Sequence, residues 1–412
     1  MIQLLIHLIL CAAGAYCALV CAYLLIVTLA AYMLRPRPRG PLEFPSCAVV
    51  IPAHNEARHI GRTLEYLKRS NYFQEQVHVY VIADNCDDNT ADIARAAGAT
   101  VFKRYDPDNR GKGQALDWCF REQTEMLREH PVTVIIDADS MVDPDFLASI
   151  TARLLEPGVD AVQGNNSVAN LDQHWRTALT GASFALVNCV RPAGLACLGS
   201  SAGLKGNGMA FRSKLLVHRG WPAHSIVEDV EFGVRLLLEG YWTTFDLDAK
   251  ITSDMPAGRR QADAQRRRWE FGRLEVARHY VPALVRAIAA NRDLRYLGPL
   301  MELIVPPMSV IALLEAAGLV LSHFASPSWT ALFAVFVSMT ALHVVLGLYF
   351  CRMPKRVWLA LAAAPLFLFW KVGVYAGLLL SRGQKGWVRT EREGEGETDE
   401  DGDPPAGQGT GA

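Results

Sequence analysis

The sequence predicts an α/β domain set between membrane-length apolar helices. Three observations carry this. Residues 1–34 contain no Asp, Glu, Lys or Arg; residues 44–290 alternate short β-rich apolar runs with amphipathic stretches; and long apolar runs return after residue 295. A hydrophobic content of 51% over 412 residues agrees with a membrane component.

The charge-free run at 1–34 exceeds the roughly 20 residues that a helix needs to cross a bilayer. No basic residue precedes it, and it outlasts the roughly 7–15-residue apolar stretch of a signal peptide, so it reads as an uncleaved anchor. Arg35, Arg37 and Arg39 follow directly. The positive-inside rule places that flank, and the domain behind it, on the cytoplasmic side.

Within 44–290, residues 47–51 read as a strand ending at Pro52, followed by a helix over 57–68. Residues 77–83 read as the next strand. Asp88 or Asn89 can cap a helix that Gly98 stops. A third strand falls at 100–103, a helix at 113–128, and a further strand at 132–136, which delivers Asp137. Repeated β-α-β units of this kind favour parallel pairing with right-handed crossovers.

Beyond residue 295, stretches 303–324 and 329–351 read as two spans within a membrane region over 296–380. The apolar region 357–380 is interrupted by Pro365 and Lys371, and basic residues flank it on both sides (Arg352, Lys355, Arg356; Arg382, Lys385, Arg389, Arg392). A re-entrant pair of half-helices reconciles those flanks, with a third full span as the alternative. The acidic, Gly- and Pro-rich residues 390–412 read as a disordered tail.

The balance of 41 basic and 42 acidic residues gives no basic face for nucleic acid. Nine cysteines without a C-x-x-C pair exclude a structural zinc or disulfide framework by their spacing.

In a doubly wound sheet ligands sit at the carboxyl ends of strands, so polar clusters ending predicted strands are the candidate site. They are residues 52–56 (Pro-Ala-His-Asn-Glu), 84–88 (Asp-Asn-Cys-Asp-Asp), Asp137-Ala138-Asp139, and further on Glu228-Asp229. Two carboxylates at 137 and 139 can hold Mg²⁺ or Mn²⁺ beside substrate phosphates through hard oxygen ligands. Alone, D-x-D reads first as an ordinary strand-ending turn, and Asp229 first as a helix N-terminal carboxylate favoured by the macrodipole.

The ordered set V-V-I-P-A-H-N-E, D-N-C-D-D-N-T, R-G-K-G-Q-A-L-D, D-A-D, E-D and Q-R-R-R-W, spread over about residues 47–270, resembles family 2 glycosyltransferases. The Gln265-Arg266-Arg267-Arg268-Trp269 ending is similar to the membrane-bound branch, which includes cellulose, hyaluronan and poly-N-acetylglucosamine synthases and ceramide glucosyltransferase. The resemblance implies a Rossmann-like GT-A domain with a mostly parallel sheet, and an inverting, metal-dependent transfer. It implies that Pro52, Glu56 and Asp84 hold the base and ribose of a UDP-sugar, that Lys112 lies near the donor, and that Asp139, helped by Asp137, coordinates the metal on the diphosphate. Asp229 matches the catalytic base. Arg268 is the candidate for the departing diphosphate because a planar guanidinium suits phosphate oxygens; Trp269 offers a face to a sugar, and Gln265 is a weaker candidate.

The expected reaction adds a sugar to a growing polysaccharide at the cytoplasmic membrane face, with polysaccharide-export subunits as partners. Single transfer to a lipid is the alternative. An inactive scaffold of an export complex is a third reading, opposed by the intact Asp139, Asp229 and Arg268.

Two departures from the family pattern stand out: Asn85-Cys86 in place of the commoner Gly-Ser, and His54 where Tyr is frequent. They leave the donor's base and sugar open. Gly206-Asn207-Gly208 resembles the stretch before the acceptor site, although an ordinary tight turn explains its glycines equally well. Glu315, inside an apolar run, reads as either functional or a helix-end carboxyl paired with its neighbours.

Overall fold

The computed structural model describes residues 1–34, 44–256 and 258–365. The basic flank at 35–39, the remainder of the 357–380 stretch and the tail at 390–412 lie outside them. The N-terminal run forms one helix, α1 (Ile2–Met33), long and apolar enough to cross a membrane.

The sheet begins with β1 (Cys47–Ala53), followed by α2 (Ile60–Lys68), β2 (Val77–Asp84), α3 (Thr90–Ala96) and β3 (Thr100–Arg104). Strand β1 reads as an unbroken apolar run because both its faces are covered. Cys47, Val49 and Ile51 pack with Leu64 and Leu67 of α2. On the other face, Ala48 and Val50 pack with Leu116 and Phe120 of α4 (Lys112–Glu122). The helix expected over 113–128 is two, α4 and α5 (Thr124–Glu129). The Thr124 hydroxyl donates to the carbonyls of Phe120 and Arg121, 3.0 Å each, a local bond that competes with helix continuation.

Next come β4 (Val132–Ile135), β5 (Met141–Val142), α6 (Phe146–Leu155), β6 (Ala161–Val168), α7 (Trp175–Phe184) and, after a wide π-turn at Ala185–Val190, α8 (Arg191–Cys197). The domain continues through β7 (Met209–Arg212), α9 (Ser213–Arg219), α10 (Glu228–Leu238), β8 (Thr243–Ser253) and α11 (Arg259–Asn291). Strand order is β3-β2-β1-β4-β7-β6-β8-β5. Pairs β1·β2, β1·β4, β2·β3 and β6·β8 are parallel. Strand β7 lies antiparallel to both β4 and β6, and β5 antiparallel to β8. The mostly parallel expectation therefore holds for the first half and is diluted in the second. There the chain leaves the sheet through α7 and α8 and re-enters from the opposite direction.

Helices α12 (Leu297–Ile304), α13 (Met308–Ser322), α14 (Pro327–Phe350) and α15 (Lys355–Ala360) follow. The single span expected at 303–324 is broken: α12 and α13 meet at 79°. Pro306 and Pro307 cause the break by removing two backbone donors and excluding helical geometry from the residue before each. Helix α13, with 15 residues, is about 22 Å long. Helix α14 is the second element long and apolar enough to cross a membrane.

Helix α1 lies on α8, α13 and α14. Val20, Leu24 and Val27 pack with Leu195, Met301 and Ile311, whereas Leu4, Leu8, Leu19, Ile26 and Leu29 point outward. Polar side chains also join these helices. Thr28 and His343 share a 2.6 Å hydrogen bond, and Thr340 donates to Glu315 at 2.7 Å. Of the two readings of Glu315, the paired one matches this contact.

At Gly194 in α8 the backbone of α1 packs so close that a Cβ would collide with the carbonyl of Val27. Gly194→Leu is expected to destabilise the protein by about 1–3 kcal/mol through overpacking. Thermal melting in detergent measures this, and an unchanged midpoint contradicts the packing described.

Candidate functional site

Strands β2 and β4 flank β1, and their carboxyl ends open into a cavity of about 1180 Å³. All ten residues singled out in the sequence line it: Pro52, Glu56, Asp84, Lys112, Asp137, Asp139, Asp229, Gln265, Arg268 and Trp269.

At the β1–β2 end the turns are left-handed at Asn55 (φ 54°) and Asn85 (φ 51°), a conformation that asparagine tolerates better than most residues. His54 Nδ1 lies 2.7 Å from the carbonyl oxygen of Asp84, and the Thr90 hydroxyl accepts from the Glu56 amide at 2.8 Å. These bonds fix the 52–56 loop against β2. Asp84 is buried, and Arg104 Nη1 donates to its Oδ1 at 2.6 Å. Arg104 was not anticipated, although its signal lies in the register: it is the direct cross-strand partner of Asp84 at the end of β3.

At the β4 end, Asn207 Oδ1 accepts from the Asp137 amide at 3.1 Å and from the Ser140 hydroxyl at 3.2 Å. Buried Gln163 holds the same loop, accepting from the Lys205 amide at 2.7 Å and donating to the Asn207 carbonyl at 2.8 Å. Asn207 and Gln163 thus carry the 205–208 segment between β4 and α10, a supporting role with no local sequence signature.

Lys112 is the electrostatic centre. Its Nζ donates to Asp137 Oδ1 at 2.6 Å and to the carbonyl of Gly206, and lies 4.0 Å from Glu228 Oε1. Burial would lower its pKa, but Asp137, Glu228 and Asp229 outweigh that and raise it. Glu228 is pushed up to about 8, first by burial and then by the Asp229 charge, with Lys112 opposing. Asp229 is likewise raised by burial, against Lys112. Arg268 is lowered by burial, with Glu228 opposing. Trp269 lies 6.1 Å from the ring of Phe184, centroid to centroid.

Gly206 has a left-handed φ of 81°, and a Cβ there would sit 3.2 Å from Asp229 Oδ2. The backbone conformation favours glycine, and a Cβ would press on the Asp229 carboxylate. Gly206→Ala is expected to lower kcat by at least about tenfold by displacing the carboxylate. Steady-state kinetics at saturating donor tests this, and wild-type kcat would contradict it.

A divalent cation fits the donor set. Asp137 and Asp139 supply hard oxygens, and no group of three or more His, Cys, Asp or Glu side chains suited to a metal occurs among the described residues. Two carboxylates with the remaining positions left to phosphate and water is the usual arrangement for Mg²⁺ in a nucleotide site.

A family model described as "Glycosyltransferase like family 2" matches residues 45–272. Glucomannan 4-beta-mannosyltransferase 7 of Arabidopsis thaliana is 24% identical over 262 residues, 60% of this chain and 46% of that protein. Beta-monoglucosyldiacylglycerol synthase of Trichormus variabilis is 28% identical over 207 residues, covering 49% and 42% respectively. Poly-beta-1,6-N-acetyl-D-glucosamine synthase of Staphylococcus aureus (strain COL) is 25% identical over 238 residues, covering 57% and 56%. The chain spans about half the length of these relatives. Among solved structures, a mannosyltransferase from Pyrobaculum calidifontis, in complex with GDP-Man and Mn²⁺, superposes with a TM-score of 0.53 at 20% identity. The match covers 84% of this chain and 99% of that one, and is a likeness of fold.

Proposed function

Since this chain belongs to the glycosyltransferase-like family 2, we propose that it transfers a sugar from a UDP-sugar to an acceptor at the cytoplasmic face of a membrane, with inversion. The observation that carries the proposal is the convergence of the ten residues on one cavity that also continues between the apolar helices. Ser309, Ala312, Thr340 and Val344 line that same cavity.

The acceptor hydroxyl gives its proton to Asp229 as its oxygen attacks the anomeric carbon, and the bond from that carbon to the nucleoside diphosphate breaks on the opposite face. A single in-line displacement inverts the configuration. Burial suits Asp229 to the role by raising its proton affinity toward working pH. Lys112 and Arg268 stabilise the negative charge on the departing diphosphate. Pro52, Glu56 and Asp84 hold the base and ribose, Trp269 stacks on the sugar, and Gln265 contributes a polar contact. Asp139 and Asp137 would hold Mg²⁺ or Mn²⁺, which when bound neutralises charge on the diphosphate.

The apolar end of the cavity favours an acceptor with a lipid tail. The Gln265–Trp269 pattern favours extension of a polysaccharide, in which case export subunits are the natural partners. Product sizing separates the two, using the purified chain, Mn²⁺, UDP- and GDP-sugars and membrane lipid. One glycolipid product supports the first reading and a ladder the second. No turnover of any donor, with Asp139→Asn and Asp229→Asn behaving as wild type in cells, sinks both.

A further inference from the structure

Four charged side chains distant in sequence meet where the cavity passes from the α/β domain into the apolar helices: Arg191, Lys205, Arg273 and Glu302. Lys205 Nζ lies 3.0 Å from Glu302 Oε2, and Tyr23 of α1 donates to Glu302 Oε1 at 2.8 Å. Among the described residues Arg273 donates to backbone, to the carbonyls of Glu302 and of Val305, the latter at 2.8 Å. Arg191 is 1% exposed, and its Nη1 stands 3.6 Å from Glu302 Oε1, beyond hydrogen-bond length. Neither Nη1 nor Nε of Arg191 has a hydrogen-bond partner among the described residues.

Three cations thus face one carboxylate. Asp229 lies within electrostatic reach of Lys205, and counting it still leaves one positive charge unbalanced. A purely structural cluster would satisfy its buried donors, because buried guanidinium N–H groups without acceptors are costly even beside a carboxylate. A phosphate oxyanion supplies both negative charge for that excess and the missing acceptors, and guanidinium groups suit phosphate oxygens. Its contacts on the apolar side are with Tyr23 and Val305, and it meets the transfer site through Lys205, whose charge acts on Asp229.

We infer that Arg191, Lys205 and Arg273 form a subsite for a phosphate group on the acceptor side of Asp229, distinct from the position of the donor diphosphate. The inference rests on the transferase reading above and adds the acceptor's charge to it. The phosphate is either a lipid headgroup or a free anion.

The test uses the full chain in nonionic detergent. Binding of dioctanoyl phosphatidic acid, dioctanoylglycerol and inorganic phosphate is measured by calorimetry beside binding of UDP. Phosphatidic acid is expected to bind at least about tenfold more tightly than dioctanoylglycerol. Arg191→Gln and Lys205→Gln should each reduce that preference about tenfold, and Arg191→Lys should retain part of it. Unchanged UDP affinity in the same variants shows that they are folded, and Lys205→Gln serves if buried Arg191 tolerates no change. Displacement of the lipid by inorganic phosphate alone at comparable concentration identifies a free anion as the ligand; failure of that displacement identifies the headgroup.

Equal binding of the charged and neutral lipids, or a preference that survives both Gln substitutions, overturns the subsite. A loss of UDP affinity in those variants overturns it too, by assigning the cluster to the donor. A wild-type chain that binds no UDP and turns over no donor counts instead against the transferase reading.

Discussion

Asp229→Asn is expected to lower kcat by about 10²–10⁴-fold, the usual worth of a positioned general base, with little change in donor affinity. The amide keeps the shape of the carboxylate and cannot take the acceptor proton. The pH profile gives a second reading of the same group. Burial raises the Asp229 pKa, so the carboxylate protonates, and activity falls, at a higher pH than for an ordinary aspartate near about 4. Activity is present above that pKa and lost as pH drops through it. Glu228, pushed up to about 8, is the immediate neighbour, so the two titrate as a pair. Glu228 is already neutral where the acid limb falls, and burial rather than Glu228 raises Asp229, so Glu228→Gln should leave the acid limb in place. Rates of wild type and both variants between pH 4 and 9 check this. An acid limb at the ordinary aspartate value in all three would rule out a buried base.

Arg268→Ala should lower kcat by about 10²–10³-fold, the cost of removing one preorganised donor from developing negative charge. Arg268→Lys should recover only part of the loss, because an ammonium cannot reproduce the two-pronged contact of guanidinium with phosphate. The effect belongs in kcat more than in KM, since the charge grows as the bond to the diphosphate breaks. Replacing UDP by a better leaving group in a synthetic donor should shrink the difference. A defect confined to donor KM would place Arg268 in ground-state binding only.

The strand ends were legible because β1, β2 and β4 are β-rich runs, mostly apolar and largely buried, and each run stops at a polar cluster. Residues lying within a few positions of those stops line one cavity. What escaped was whatever depends on pairing across the sheet. Arg104 reaches Asp84 through register, and β7 takes its antiparallel place through a long excursion, neither of which leaves a local periodicity. The break between α12 and α13 was written in Pro306 and Pro307, but uninterrupted hydropathy around them masked it. The quartet at 191, 205, 273 and 302 shows the same limit, since its members come from four separate segments.

Helix α11 carries Gln265, Arg268 and Trp269 near its start and Arg273 little more than a turn later, where the guanidinium grips the carbonyls at the α12–α13 bend. The rod that carries Arg268 is thus clamped to a joint in the apolar layer. On the proposed function, a tilt that opens or closes the joint shifts Arg268 relative to the sheet, which ties the transfer step to the packing of the apolar helices.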